Sequence, residues 1–123
     1  MSTMQKLLKI TSLVMLALGG LFIPFTVMNF INADTLAGIL IAVLTALMTL
    51  FDLLLGFLGS TAANVPSRVT GILPIVVIAL IVNAASVFYI MFMQGLWMPV
   101  VANAVVGVVF SFAAHKVNKQ VML

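Results

Sequence analysis

The sequence contains no cysteine and no glutamate, a single histidine (His115) and only two acidic residues, Asp34 and Asp52. Without cysteine it has no disulfide, no thiolate metal ligand and no thiol nucleophile. A metal site usually needs three or four clustered His, Cys or carboxylate ligands, and the dispersed His115, Asp34 and Asp52 do not supply such a cluster. We therefore expect no metal, no other cofactor and no enzymatic activity.

Charge is also scarce, since charged residues make up 6% of the chain and the net charge of +3 rests on five basic residues. These are too few and too scattered for the basic patch of a nucleic-acid-binding surface, so no nucleic-acid partner is expected. Apolar residues make up 65% of the chain, against roughly half in a soluble domain. A soluble fold of this size leaves about a third of its unfolded surface exposed to solvent, and a chain this apolar cannot cover that third with polar side chains. The lipid bilayer is therefore predicted to surround most of the protein.

Four apolar segments have the length of about 20 residues that a helix needs to cross a membrane. The predicted spans are residues 7–31, 36–58, 72–93 and 97–115, within a single transmembrane domain covering 1–123. Residues 59–71, rich in turn-forming side chains, are predicted to be a loop. The first segment also has the charged start of a secretory signal peptide, but its apolar run to Ile31 is longer than a signal sequence needs.

The positions of the basic residues predict the orientation of the chain. With four spans, one side of the membrane carries Lys6, Lys9, Arg68, Lys116 and Lys119, and the other side carries only Asp34. The positive-inside rule then places both termini and the 59–71 loop in the cytoplasm. The predicted fold is an all-α, four-helix transmembrane bundle in the cell (plasma) membrane.

A stripe of small and polar residues follows one face of the second span. Its members recur at alternating spacings of four and three: Gly38, Ala42, Thr45, Thr49, Asp52, Gly56 and Gly59. Small residues let helix backbones approach closely, and polar ones hydrogen-bond across to a neighbour. This period predicts left-handed crossings near +20°. Weaker stripes place Asn83 on the third span, and Asn103, Gly107 and Ser111 on the fourth.

Depth along the helices, at about 1.5 Å per residue, predicts that Asp52, Asn83, Asn103 and Ser111 converge inside the bundle, with Thr45 and Thr49 nearby. Two interpretations of Asp52 stand side by side. An Asp at the middle of a membrane helix costs up to about 2.5–3.5 kcal/mol, and somewhat less off-centre, where Asp52 is predicted to lie. By default such a residue indicates a functional site, here a proton- or cation-responsive carboxylate. Alternatively it is a structural group, hydrogen-bonded to neighbouring polar side chains or reached by Arg68. The two asparagines are interpreted as hydrogen-bonding links between helices.

Two functions fit these features. The first is a non-enzymatic accessory or assembly protein that associates through its helices, either as a homo-oligomer or within a larger membrane complex. The alternative is a small oligomeric transporter or channel for protons, cations or small solutes, with Asp52 as its coupling or selectivity group; a lytic pore-former is a minor variant. Length and span count are similar to those of small multidrug transporters, but these depend on an acid in the first helix, where this chain has none.

Overall fold

A computed structural model describes residues 2–92 and 97–122 of the chain, which are helical almost throughout. The helices are α1 (Thr3–Ile31), α2 (Leu36–Asn64), α3 (Val69–Phe92) and α4 (Trp97–Met122), with a short 3₁₀ helix at Pro66–Arg68. Four helical segments are long and apolar enough to cross a membrane. The prediction of an all-helical chain with four candidate membrane spans is confirmed. Residue 93, the last of the third predicted span, lies outside the described residues.

The predicted loop 59–71 is mostly helical, because α2 continues to Asn64 and α3 already begins at Val69. The hydroxyls that suggested a loop donate hydrogen bonds within the helix: Ser60 Oγ to the Phe57 carbonyl and Thr61 Oγ1 to the Leu58 carbonyl, both at 2.9 Å. Such back-bonding keeps serine and threonine compatible with a helix. In the same way α4 extends past residue 115, its predicted end, to Met122.

The first two helices, α1 and α2, are each capped at the N-terminus by a hydroxyl side chain. At the start of α1, Gln5 N donates to Ser2 Oγ at 3.2 Å and Ser2 N donates to Gln5 Oε1 at 2.9 Å, which is a capping box. At the start of α2, Gly38 N donates to Thr35 Oγ1 at 3.1 Å. Gly38 is only half-buried and lies beside this cap. The structure therefore places Gly38 in the first turn of α2, and its role in helix packing stays a prediction.

Consecutive helices are neighbours, and α1 also lies against α4, so that the four helices close a ring. The connections 32–35 and 65–68 are short, as expected between antiparallel helices of a bundle. The left-handed crossing angle stays a prediction.

The core consists of two apolar clusters, one toward each end of the bundle. One cluster includes Leu8 and Met15 of α1, Leu55 of α2, Val76 of α3 and Phe110 of α4. The other holds Phe22, Met48, Ile90 and Val100. On every helix the two clusters are separated by a short interval, and those intervals meet at the centre of the bundle.

Candidate functional site

A layer of polar side chains fills the interval between the two apolar clusters, and we call it the central polar layer. It consists of Asp52 on α2, Asn83 on α3 and Asn103 on α4, with Gly19 of α1 closing the fourth side. Asp52 and Asn103 are 1% exposed and Asn83 is 6% exposed. A Cβ built on Gly19 would lie 2.8 Å from Leu53 Cδ2 and 3.2 Å from Asp52 Cβ, so the absence of a side chain makes room for both of these α2 residues. Of the four residues predicted to converge, the structure brings together these three and not Ser111.

Asn103 links Asp52, on the diagonally opposite helix, to Asn83, on the neighbouring helix. One polar atom of its amide lies 2.5 and 2.9 Å from the two carboxylate oxygens of Asp52. The other lies 2.8 Å from the side-chain amide of Asn83. Three helices are therefore joined by one chain of hydrogen bonds, and every buried side-chain oxygen and nitrogen among the described residues has a partner.

Donor and acceptor chemistry gives this chain of hydrogen bonds two directions. If Asp52 is ionised it only accepts, so Asn103 Nδ2 must face it and Asn83 must turn its own NH₂ toward Asn103 Oδ1. If Asp52 is protonated, its hydroxyl donates to Asn103 Oδ1, and Asn103 Nδ2 then donates to Asn83 Oδ1. The same three positions thus accommodate either charge state through rotation of two amides.

Thr45 and Thr49 lie on α2, on the N-terminal side of Asp52, and they contact α1. Asn29 Nδ2 donates to Thr45 Oγ1 at 3.3 Å, and the hydroxyls of Thr26 and Thr49 are 3.1 Å apart. Each of these α2 threonines also donates to a carbonyl of its own helix, at 2.8–2.9 Å. They form a separate polar contact between α1 and α2.

The structure does not place Ser111 in the central polar layer. Its hydroxyl lies 3.3 Å from His115 Nδ1, which in turn lies 2.7 Å from the Ser111 carbonyl oxygen. Ser111 is eight residues from Asn103 on α4, about 12 Å along the axis. The depth prediction counted from helix ends, and both α2 and α4 extend beyond their predicted ends. Arg68, the alternative partner predicted for Asp52, is exposed in the 3₁₀ helix.

The small residues of the predicted stripe are buried at close contacts between helices. A Cβ on Gly56 would lie 2.6 Å from Leu16 Cγ and 2.9 Å from the Ser12 carbonyl oxygen of α1. A Cβ on Gly59 would clash with Ser12 Oγ and the Phe110 ring, and one on Gly107 would lie 2.8 Å from Asn83 Nδ2. Ala42 is completely buried. The packing role predicted for Ala42, Gly56, Gly59 and Gly107 agrees with these positions.

One important residue was not predicted. Phe110, 1% exposed, fills the space left by Gly59 on the opposite helix. An aromatic side chain among many apolar residues carries no signal of its own, so the sequence does not predict this contact.

No family model, no curated protein and no solved structure matches this chain. Among the described residues there is no group of three or more His, Cys, Asp or Glu side chains that could hold a metal ion.

Proposed function

We propose that the protein is a non-enzymatic membrane subunit that acts through association of its helices with a second copy or with a larger membrane protein. The observation that carries this proposal is the contrast between Gly20 and the buried glycines. Gly56, Gly59 and Gly107 are each packed against another helix of the same chain, whereas a Cβ on Gly20 would meet no atom within 4 Å.

The outer face of α1 around Gly20 supports close approach of another helix. Ala17, one turn away, is exposed like Gly20, and Leu13 and Pro24 continue the same exposed face. Small residues on a lipid-facing surface are places where a neighbouring helix can approach the backbone. Because the bundle satisfies its buried polar side chains internally, such contact needs no rearrangement of its centre.

Replacing Gly20 with leucine tests this proposal. We expect Gly20→Leu to fold normally, because the space around it is empty, and to lose association because the added side chain keeps a partner helix away. Photobleaching steps of labelled protein in liposomes give the number of copies, and affinity purification from native membranes gives any larger partner. Gly71→Leu is the matched control, since Gly71 also has nothing within 4 Å. Identical association by wild type and Gly20→Leu would refute the proposed face.

The central polar layer favours a second candidate, a transporter or channel for protons, cations or small solutes that uses Asp52. Ionisable groups inside a membrane usually mark conduction or proton-transfer sites, and a carboxyl joined to two amides has the donors and acceptors that proton exchange requires. Since Asp52 is sealed from the surface at 1% exposure, this candidate requires the bundle to open.

Flux measurements test the second candidate. If it is correct, purified protein in liposomes will conduct protons or cations, and Asp52→Asn will abolish the flux while keeping the hydrogen-bonded layer intact. The matched control is Ser86→Ala, because Ser86 is a buried hydroxyl that donates only to its own helix, at 2.7 Å from the Val82 carbonyl oxygen. Wild-type protein with no flux above empty liposomes would eliminate this candidate.

A further inference from the structure

The C-terminal part of α4 carries a basic groove on its outer surface. The groove has a volume of about 240 Å³ and is lined by Phe112, His115, Lys116, Asn118 and Lys119. His115 Nδ1 is held 2.7 Å from the Ser111 carbonyl oxygen, which makes this nitrogen the protonated one and leaves Nε2 as the second polar atom of the ring. Lys116 Nζ lies 5.6 Å from the centre of the Phe112 ring. The groove therefore combines cationic groups with an aromatic edge.

An apolar groove continues from this basic groove along the same face of α4. It has a volume of about 290 Å³ and is lined by Val87 of α3 and by Val101, Ala104, Val105, Val108 and Val109 of α4. Phe112 follows Val108 by one helical turn, and both side chains are more than half exposed, at 51% and 59%. The two grooves thus form one strip, which is apolar over 101–112 and basic over 115–119.

The length of the apolar part matches one leaflet of a bilayer. Residues 101–112 rise by about 16 Å, and half of a typical hydrocarbon core is about 15 Å. An acyl chain lying along this part would place its phosphate beside His115, Lys116 and Lys119. Lysines at the membrane boundary attract anionic lipid headgroups, and uncharged aliphatic side chains can pack against the lipid's acyl chain.

We propose that this strip of α4 is a binding site for one anionic phospholipid, with its phosphate held by Lys116 and Lys119 and an acyl chain lying against Val108, Val105 and Val101. The site lies on α4, away from the Gly20 face of α1, so it does not depend on the proposed association.

Native mass spectrometry of the full chain, released from detergent with added lipid, measures this binding. We expect one phosphatidylglycerol to bind in preference to phosphatidylcholine of the same chain length. A boundary lysine contributes about fivefold to affinity, so Lys116→Gln combined with Lys119→Gln should weaken binding by about 30-fold. Lys6→Gln is the control: it removes one positive charge, as Lys116→Gln alone does, but from the start of α1. It should change binding less than twofold.

Two further binding measurements identify the molecule that occupies the strip. Val105→Trp, at a position 57% exposed, should weaken long-chain phosphatidylglycerol by at least tenfold and leave dihexanoyl phosphatidylglycerol unchanged. Inorganic phosphate should compete poorly with the long-chain lipid. Equal binding of the two headgroups, or equal losses in Lys6→Gln and Lys116→Gln, would overturn the proposal. So would full competition by inorganic phosphate, or a lipid-free dimer that Val105→Trp dissociates.

Discussion

Gly56→Leu is expected to destabilise the bundle by at least about 3 kcal/mol, the upper end of the usual cost of overpacking a core. A side chain at this position meets the backbone of α1 at Leu16 N and the Ser12 carbonyl oxygen, each 2.9 Å from the site of the Cβ. Backbone atoms cannot rotate away as a side-chain end does, so α1 and α2 must separate. Unfolding in mixed detergent micelles, followed by circular dichroism, gives the change in free energy.

Gly71→Leu is the control for this prediction, because it adds the same side chain to a helix at a position with nothing within 4 Å and lies outside the proposed association face. Its free energy of unfolding should stay within about 0.5 kcal/mol of wild type, as is usual for surface substitutions. If Gly56→Leu were as stable as Gly71→Leu, the close approach of α1 and α2 described above would not exist in the folded protein.

Asn103→Leu is expected to have the second large effect, a loss of about 2–6 kcal/mol. Asn103 is the partner of both Asp52 and Asn83, so its removal leaves two buried polar groups unsatisfied. Each such group costs about 1–3 kcal/mol, and a charged one costs more. The measurement is again unfolding in mixed micelles.

Replacing the whole central polar layer distinguishes lost hydrogen bonds from lost packing. When both partners of a hydrogen bond become apolar, the change is often nearly neutral. The combined Asp52→Leu, Asn83→Leu and Asn103→Leu variant should therefore recover most of the stability that Asn103→Leu loses. Asp52→Asn should cost little, since its amide can donate to Asn103 as a protonated carboxyl does. A combined variant less stable than Asn103→Leu alone would mean that shape, and not polarity, holds the layer.

The parts of the fold that depend on apolar length and helical period were predictable from the sequence. Four apolar runs predict four helices, and the spacing of Ala42, Thr45, Thr49, Asp52, Gly56 and Gly59 predicts that these residues share a face; all are buried. A polar residue inside an apolar run is costly unless it has a partner, which is why Asp52, Asn83 and Asn103 could be expected to meet.

Helix ends and helix registers were harder to predict. Residues 59–64 have the composition of a loop, yet their hydroxyls bond within α2 and their small residues pack inside the bundle. A depth counted from the predicted helix ends places Ser111 beside Asp52. The contact between Asp52 and Asn103 shows that α2 and α4 have a different register. Nor does composition indicate that Thr26 and Asn29 are the partners of Thr49 and Thr45, since many hydroxyls and amides share those helix faces.

The central polar layer has a consequence for how the chain is made. Its carboxyl is on α2, whereas its partners are on α3 and α4, which leave the ribosome later. Until they have been made, Asp52 lacks both amide partners, and an unpartnered Asp in a membrane helix costs up to about 2.5–3.5 kcal/mol. The contacts of Thr26 with Thr49 and of Asn29 with Thr45 can form earlier, within the first hairpin. The central polar layer is thus complete only when α4 has been made, and a chain that stops after α2 leaves this carboxyl without its two amide partners.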